Sequence, residues 1–296
     1  MNRDPLKENI MSQKLVSHVS DTARWVATYR AWESARPDAL FRDPYAERLA
    51  GERGAAIAQM MPKQARSGWP LVVRTKLFDD LILASLTAGC DRVINLAAGL
   101  DTRPYRMKLP ADLTWIEVDH PQMIEEKERV LAGERPVCSL LRRAADLSDP
   151  AARASVLDEA THGSQRALVI SEGLVIYLEE DVVRALSTDL ASRPAIRWWL
   201  LDLASPELRQ MMMKTMGEQL ASAPLKFAPP NGVAYFEALG WAVQDVSSFM
   251  RAAVKYHRLP WFLRPFGLLP DPNPRQLKNA RWSAAVRLAN DGRNSS

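Results

Sequence analysis

Cysteine and histidine are scarce in this chain of 296 residues: Cys90 and Cys138 are its two cysteines, and His18, His120, His162 and His257 its four histidines. Two thiols are too few for a disulfide framework or a cysteine zinc site, and the histidines show no ligand spacing such as HExxH. A reducing, cytoplasmic setting and chemistry without a metal are the expectation. Long apolar runs are missing as well. None approaches the ~20 residues that a membrane-spanning helix needs, and MNRDPLKENI has no apolar core behind its charges. Neither a membrane span nor a secretory signal is expected. There is no internal repeat, no low-complexity tract, and no GxGxxG to cradle a pyrophosphate.

What is present describes a folded globular chain, with 47% hydrophobic and 25% charged residues. Lysine and arginine number 39 against 35 acids, a net charge of +4. The excess is uneven. From Arg251 onward nine basic residues face Asp271 and Asp291, a balance of +7, and residues 1–250 carry −3. These basic residues are scattered among prolines and apolar residues. That is the pattern of a solvated face or an entrance for an acidic substrate, not of a nucleic-acid stripe, and no nucleic-acid partner is expected.

Residues 12–60 show helical spacing, with Trp25, Tyr29 and Trp32 in step, interrupted by RPDALFRDPYA with Pro37 and Pro44. Val72 to Leu86 is helical again and ends at Gly89. Short apolar runs follow: RVINLA (92–97), TWIEVD (114–119), LLRRAAD (140–146), ALVISE (167–172) and WWLLDLA (198–204). Helical stretches at 121–132, 150–160 and 179–192 separate them. Strands alternating with helices imply a parallel sheet wrapped on both faces. WAVQDV (241–246) and RWSAAVRLA (281–289) add two strands, with the Pro-rich LPWFLRPFGLLPDPNP between them. A connection of that length without periodicity is functional or covers something. The fold expected is α/β, a seven-stranded, mostly parallel, doubly wound, Rossmann-like sheet over residues 87–296. A helical cap over residues 1–86 precedes it, and substrate-covering insertions are expected at 205–235 and 255–275.

In open α/β sheets ligands bind outside the carboxyl ends of the strands, at the switch in strand order. The first strand ends in N-L-A-A-G-L-D-T-R (95–103), where small residues let backbone N–H groups approach a ligand. An ordinary tight turn reads the same way, and Asp101 reads also as a helix N-cap before Pro104. The second strand ends in Asp119, 20 residues past Gly99. That spacing suits an acid accepting hydrogen bonds from the ribose of an adenosine-containing ligand. A nicotinamide coenzyme and S-adenosylmethionine both fit so far, although the missing GxGxxG disfavours the dinucleotide.

The segments VINLAAGLDTRPYR (93–106), EVDHP (117–121), ADL (145–147) and SEGLVIYL (171–178) follow Arg74 in VVRTKLFDD. In order and spacing they resemble the leucine carboxyl methyltransferase family. SDTA…RAWESARPDALFRDPYA (20–46) is similar to its bacterial branch, which includes polyketide O-methyltransferases. The resemblance implies a class I methyltransferase fold and S-adenosyl-L-methionine as cofactor. It assigns Arg74 to the cofactor carboxylate, where a planar guanidinium suits bidentate contact. Ala97 and Gly99 take the turn beneath the methionine part, and Asp119 the ribose. Asp146 with Leu147 takes the adenine, and Glu172 closes the methionine end. Residue by residue the alternatives are a surface arginine at 74, an N-cap at 146 and a strand-end ion pair at 172. Tyr177 is either a lining residue of the substrate mouth or a core tyrosine. The sequence departs from the family at Ala97, where relatives commonly carry glycine.

The activity implied is methyl transfer to a carboxylate or hydroxyl of a small-molecule acceptor. A protein carboxyl methyltransferase and a non-catalytic cofactor-binding protein are the alternatives. A carboxylate needs no general base, whereas a hydroxyl does. His257, in KYHRLPWF, is the one candidate base near a possible lid, with a packed or surface histidine as the other reading, so no catalytic residue is assigned. Trp261, Phe262, Phe266, Leu268 and Leu269 read as a cover for an apolar substrate, as plain core, or as a membrane-surface anchor. Met211, Met212 and Met213 offer adaptable apolar surface where such enzymes hold their acceptors.

Overall fold

The computed structural model describes residues 19–62, 66–217, 221 and 223–290, so the first 18 residues of the expected cap lie outside the described residues. Three helices open the chain: α1 (Val19–Ser34), α2 (Ala46–Met60) and α3 (Trp69–Thr87). Then β1 (Arg92–Leu96), α4 (Arg103–Arg106), β2 (Thr114–Asp119), α5 (Pro121–Val130), β3 (Ser139–Ala144), α6 (Pro150–Thr161) and β4 (Ala167–Ser171) alternate. They continue with α7 (Glu180–Ala191), β5 (Ile196–Ala204), α8 (Pro206–Met216), α9 (Ala234–Glu237), β6 (Ala242–Ser248), α10 (Phe249–Lys255) and β7 (Ser283–Ala289). The seven strands form one sheet in the order β3-β2-β1-β4-β5-β7-β6. All neighbours pair parallel except β7, which runs antiparallel to both β5 and β6. This is the α/β architecture expected from the sequence, with each strand edge within two residues of its apolar run. Among the described residues no helix is long and apolar enough to cross a membrane.

The period of two along each strand divides the core. Ile94, Leu96, Ile116, Val118, Val169, Trp199 and Leu201 point to one face, where Val156, Leu157, Val183 and Leu186 of α6 and α7 cover them. Val93, Trp115, Leu168, Ile170, Trp198 and Leu200 point to the other, under Val73, Leu77, Phe78 and Ile82 of α3 and Phe249 and Ala253 of α10. The third helix, inside the stretch expected to form the cap, therefore lies flat on the sheet. The cap proper is α1 with α2, packed through Trp25, Tyr29 and Ile57 onto Val72, Met216 and Leu225.

Buried charge docks this cap, and it comes from the RAWESARPDALFRD segment. Arg30 Nε donates to Asp43 Oδ2 at 2.9 Å, and Arg30 Nη2 donates to the Leu100 carbonyl at 2.6 Å. Thr102 Oγ1 donates to the same Asp43 oxygen at 2.7 Å. The cap is thus tied to the loop after β1. Arg258 ties it to the C-terminal part, meeting Glu33 at 2.8 Å and Asp38 at 3.0 Å. Much of the basic excess after residue 250 is spent in this way. Arg275 pairs with Glu237, Arg287 with Asp245, and Arg251 with Asp271.

Candidate active site

Strand register sets one row of residues at the carboxyl edge of the sheet. Leu96 lies opposite Val118, Asn95 opposite Ile170, and Ser171 opposite Leu201. Continuing that register by one or two residues brings Asp119, Ala97, Glu172 and Asp202 level on four adjacent strands. The row crosses the β1–β4 boundary, where the strand order reverses and crevices form in such sheets. A cavity of about 1870 Å³ opens above it, and all four residues line it together with Arg74, Gly99, Arg103 and Tyr177.

Two hydrogen bonds fix the first part of the row. Gly99 N–H donates to Asp119 Oδ2 at 2.6 Å, and His120 N–H donates to Asp119 Oδ1 at 2.7 Å. A carboxylate has about four acceptor positions, so this one keeps capacity for hydroxyl donors. The turn that Gly99 closes is left-handed at two places, φ +49° at Gly99 and φ +52° at Ala97. Glycine adopts that conformation freely, whereas a residue with a Cβ loses about 1–2 kcal/mol. The alanine that departs from the family thus sits where a glycine is the easier residue.

The second part of the row is a charge network. Arg74 Nε donates to Glu172 Oε1 at 3.0 Å, and its Nη1 lies 3.3 Å from Asp202 Oδ2. Gly173 N–H donates to Asp202 Oδ1 at 2.6 Å. Gly173 has φ +64°, and a Cβ there would lie 3.0 Å from Arg74 Nη1, so the left-handed turn and the guanidinium both favour glycine. From α4, Arg103 reaches Glu172 at 2.8 Å, Asp79 at 2.7 Å and Asp101 at 3.0 Å, and Arg106 adds a second contact to Asp79. Asp101 also accepts from Asn95 Nδ2 at 2.8 Å and from the Arg103 N–H at 2.9 Å, which closes a local turn; Thr102 holds the N-cap position.

Burial alone would raise the Asp101 and Asp79 pKa values, but the neighbouring guanidiniums of Arg103 and Arg106 outweigh it and hold both carboxyls below the usual range. Such groups add stability above pH ~4 that is lost as acidification protonates them. Asp202 goes the other way. Burial pushes its pKa up, and Arg74 with the Gly173 N–H offsets only part of that push. Within this network three guanidiniums (Arg74, Arg103, Arg106) face four carboxylates (Asp79, Asp101, Glu172, Asp202). One negative charge is left in a buried setting where unmatched charge is costly.

Comparison with known proteins decides what this arrangement belongs to. The profile of the leucine carboxyl methyltransferase family matches residues 23–191. The chain belongs to that family. A candidate S-adenosyl-L-methionine-dependent methyltransferase of Mycolicibacterium smegmatis is 33% identical, over 77% of this chain and 85% of its own. Another, of Parafrankia, is 37% identical over 62% of this chain, and the match spans 63% of its length. Among solved structures, a DUF574 family protein of Streptomyces avermitilis superposes with a TM-score of 0.55 at 14% identity, covering 90% of this chain and 96% of that one. A candidate methyltransferase of Thermobifida fusca gives 0.54 at 16% identity, covering 87% and 96%. These two show the shared fold. The family's cofactor is S-adenosyl-L-methionine, whose sulfonium, ammonium and carboxylate sum to one positive charge. The donor set fits it: the network's surplus is one negative charge, and Arg74 spends two of its five N–H donors on Glu172 and Asp202.

Of the positions singled out by sequence, the structure brings Arg74, Ala97, Gly99, Asp119 and Glu172 to one cavity wall and leaves two out. Asp146 is exposed, and its Oδ1 accepts from the N–H and hydroxyl of Ser148 at 2.9 and 2.7 Å. Leu147 packs into the core, and its carbonyl accepts from Arg153 at 2.9 Å. The register explains their place. Asp119 stands opposite Ala144, so Asp146 lies two residues beyond the row, inside a turn closed on itself. The N-cap of the following helix is Asp149, not Asp146. Asp202 and Arg103 were missed. Both had a signal, since Asp202 is the acid near the end of the fifth apolar run and Arg103 stands in the same turn segment as Gly99.

Two measurements follow from this geometry. In calorimetry with S-adenosylhomocysteine, Asp119→Ala weakens binding by about 10–100-fold, as expected for losing charge-assisted hydrogen bonds, while Asp146→Ala changes it by less than about twofold. Equal losses in both variants would return Asp146 to the adenosine site, and no loss in Asp119→Ala would put the adenosine elsewhere. In urea unfolding, Ala97→Gly adds ~1 kcal/mol by relieving the left-handed alanine, and a loss of stability would show that the methyl group is packed and needed.

Proposed function

We propose that this chain transfers the methyl group of S-adenosylmethionine to an oxygen of a small, largely apolar acceptor, a carboxylate in preference to a hydroxyl. The observation that carries the proposal is the two-sided wall of the cavity. Its floor is the charged row, and its outer part is Trp25, Leu71, Ile176, Met212, Met216 and Leu225. Ligand sites commonly hold ~300–1,000 Å³, so a cavity of about 1870 Å³ accommodates a bulky acceptor beside the cofactor. Methionines on α8 suit acceptors of variable shape.

Arg74 holds the cofactor carboxylate with its spare N–H donors, and Glu172 and Asp202 face the ammonium. Asp119 accepts from the ribose hydroxyls, and the backbone from Ala97 to Gly99 lies under the methionine part. When bound, the cofactor supplies an activated methyl group: the carbon–sulfur bond breaks, a carbon–oxygen bond forms, and the sulfonium charge disappears. The work left for the protein is alignment and exclusion of water. The cap and the apolar wall do this. Tyr177, raised in pKa by burial and bonded to Thr22, stays a neutral phenol at the junction of the two halves.

The preference for a carboxylate comes from how the wall's bases are placed: its one imidazole among the described residues, His120, follows Asp119 at the end of the row assigned to the ribose, and the acids nearer the acceptor wall are committed. Asp101, Asp119, Glu172 and Asp202 all hold N–H donors. Glu126 pairs with Arg24, and Asp271 with Arg251. His257 is exposed and off the wall, which removes the one histidine near the possible lid. An ionised carboxylate needs no such group. With a labelled methyl donor, a panel of apolar carboxylic acids and matched alcohols and phenols tests this. Acids are methylated with kcat/KM flat from about pH 6 to 9. Transfer confined to phenols or alcohols, with a rising basic limb, would contradict the carboxylate preference, and transfer to neither in the presence of bound cofactor would contradict the activity.

A further inference from the structure

The stretch Trp261–Leu269 does not pack as core. Trp261 is 78% exposed and Leu268 82%, and Phe262, Phe266 and Leu269 are exposed beside them. Burial of these side chains, one reading of the sequence, is therefore excluded. Two short 3-10 turns, Trp261–Leu263 and Phe266–Leu268, present them. The backbone beneath is fastened. Arg251 donates to the carbonyls of Gly267 at 3.2 Å and Leu269 at 2.7 Å. Gly267 sits so close to α10 that a Cβ would come within 2.5 Å of Val254 Cγ2. A contiguous apolar patch held outward in this way marks an interaction surface. Phe262, Phe266 and Leu269 also belong to the cavity wall, so the patch runs from solvent inward without a polar break in the side chains named.

We propose that this lip seats on an anionic lipid bilayer. Aromatic and aliphatic side chains on an irregular, non-spanning segment are what inserts at the headgroup level, and nearby cations draw such a segment to acidic lipids. The charge around the lip has the required sign. Among the described residues Lys255, Arg264 and Arg281 enter no ion pair, while the acid beside them, Asp271, is held by Arg251. Lys255 follows Val254, which touches Gly267, and Arg281 shares the cavity wall with Phe266. A second copy of this chain is the poorer occupant. A twofold contact would set the patch against itself and bring two surfaces of the same positive sign together. On a bilayer the open inner side of the lip would admit an apolar acceptor directly from the lipid. That delivery rests on the function proposed above, whereas the docking does not.

Co-sedimentation of the full chain with mixed phosphatidylglycerol–phosphatidylcholine vesicles, and with phosphatidylcholine vesicles alone, tests the docking. The chain pellets with the acidic vesicles, less with the neutral ones, and the difference shrinks with added salt. The double variant W261S/L268S binds acidic vesicles at least about tenfold more weakly, and Arg264→Glu several-fold more weakly. Neither Trp261 nor Leu268 lines the cavity, so S-adenosylhomocysteine affinity is unchanged in the double variant and reports an intact fold. Three results would overturn the proposal: no pelleting with either vesicle, equal binding of parent and double variant, or equal binding to acidic and neutral vesicles. Sedimentation velocity showing a dimer that W261S/L268S dissociates would give the lip to a second copy instead and overturn it too.

Discussion

A buried surplus of negative charge organises the carboxyl edge of this sheet. Four strands deliver Asp119, Ala97, Glu172 and Asp202 to one level, and α3 and α4 deliver Arg74 and Arg103 above them. Each of these arginines bridges at least two carboxylates, so none of the carboxylates in contact with them is left alone in a low-dielectric setting. Within the network of Arg74, Arg103 and Arg106 with Asp79, Asp101, Glu172 and Asp202 the formal balance falls one positive charge short. On the function proposed above, a sulfonium cofactor with a net charge of +1 would sit beside this surplus and offset it. The cost of holding Asp202 ionised, visible in its raised pKa, is the part of this arrangement that a bound ammonium would remove.

The remaining architecture serves that edge. Parallel pairing through β3, β2, β1, β4 and β5 points all five carboxyl ends the same way, and the reversal of order between β1 and β4 opens the crevice. The cap is clamped by Arg30 and Asp43 to Leu100 and Thr102, in the loop that leads into Arg103, so the roof and the charge network share one anchor. The same clamp comes from the segment that, as a sequence, resembles the bacterial branch of the family. Opposite the charged floor the wall is apolar and ends in an exposed lip. The cavity is polar, buried and fixed on one side and apolar and open on the other, which suits the division between cofactor and acceptor proposed above.

Much of this was legible before any coordinates. All seven strands announced themselves as short runs, most clearly the central ones, because a strand buried on both faces leaves little room for polar residues; β3 at one edge and β6 at the other are only partly buried and read more weakly. The turn at Gly99 and the acid at Asp119 were readable from spacing, since sheet register converts a distance in sequence into adjacency in space. Asp146 shows the limit of that conversion, since its place relative to the row depends on where the third strand ends. It ends an apolar run, yet β3 stops at Ala144, and the acid falls into a turn satisfied by Ser148. Asp202 and Arg103 are single charged residues whose role arises from partners 29 and 69 positions away (Gly173 and Glu172), a pairing no local pattern encodes. The exposure of Trp261 and Leu268 decides between readings that the sequence left open, since composition alone does not separate core from an exposed apolar surface.

The most direct test is a crystal structure with S-adenosylhomocysteine bound. The ligand carboxylate should lie on Arg74, its ammonium toward Glu172 and Asp202, and its ribose hydroxyls on Asp119. Density that places the amino-acid end away from Arg74, with the Arg74–Glu172–Arg103 network undisturbed and sealed off from the ligand, would contradict the account.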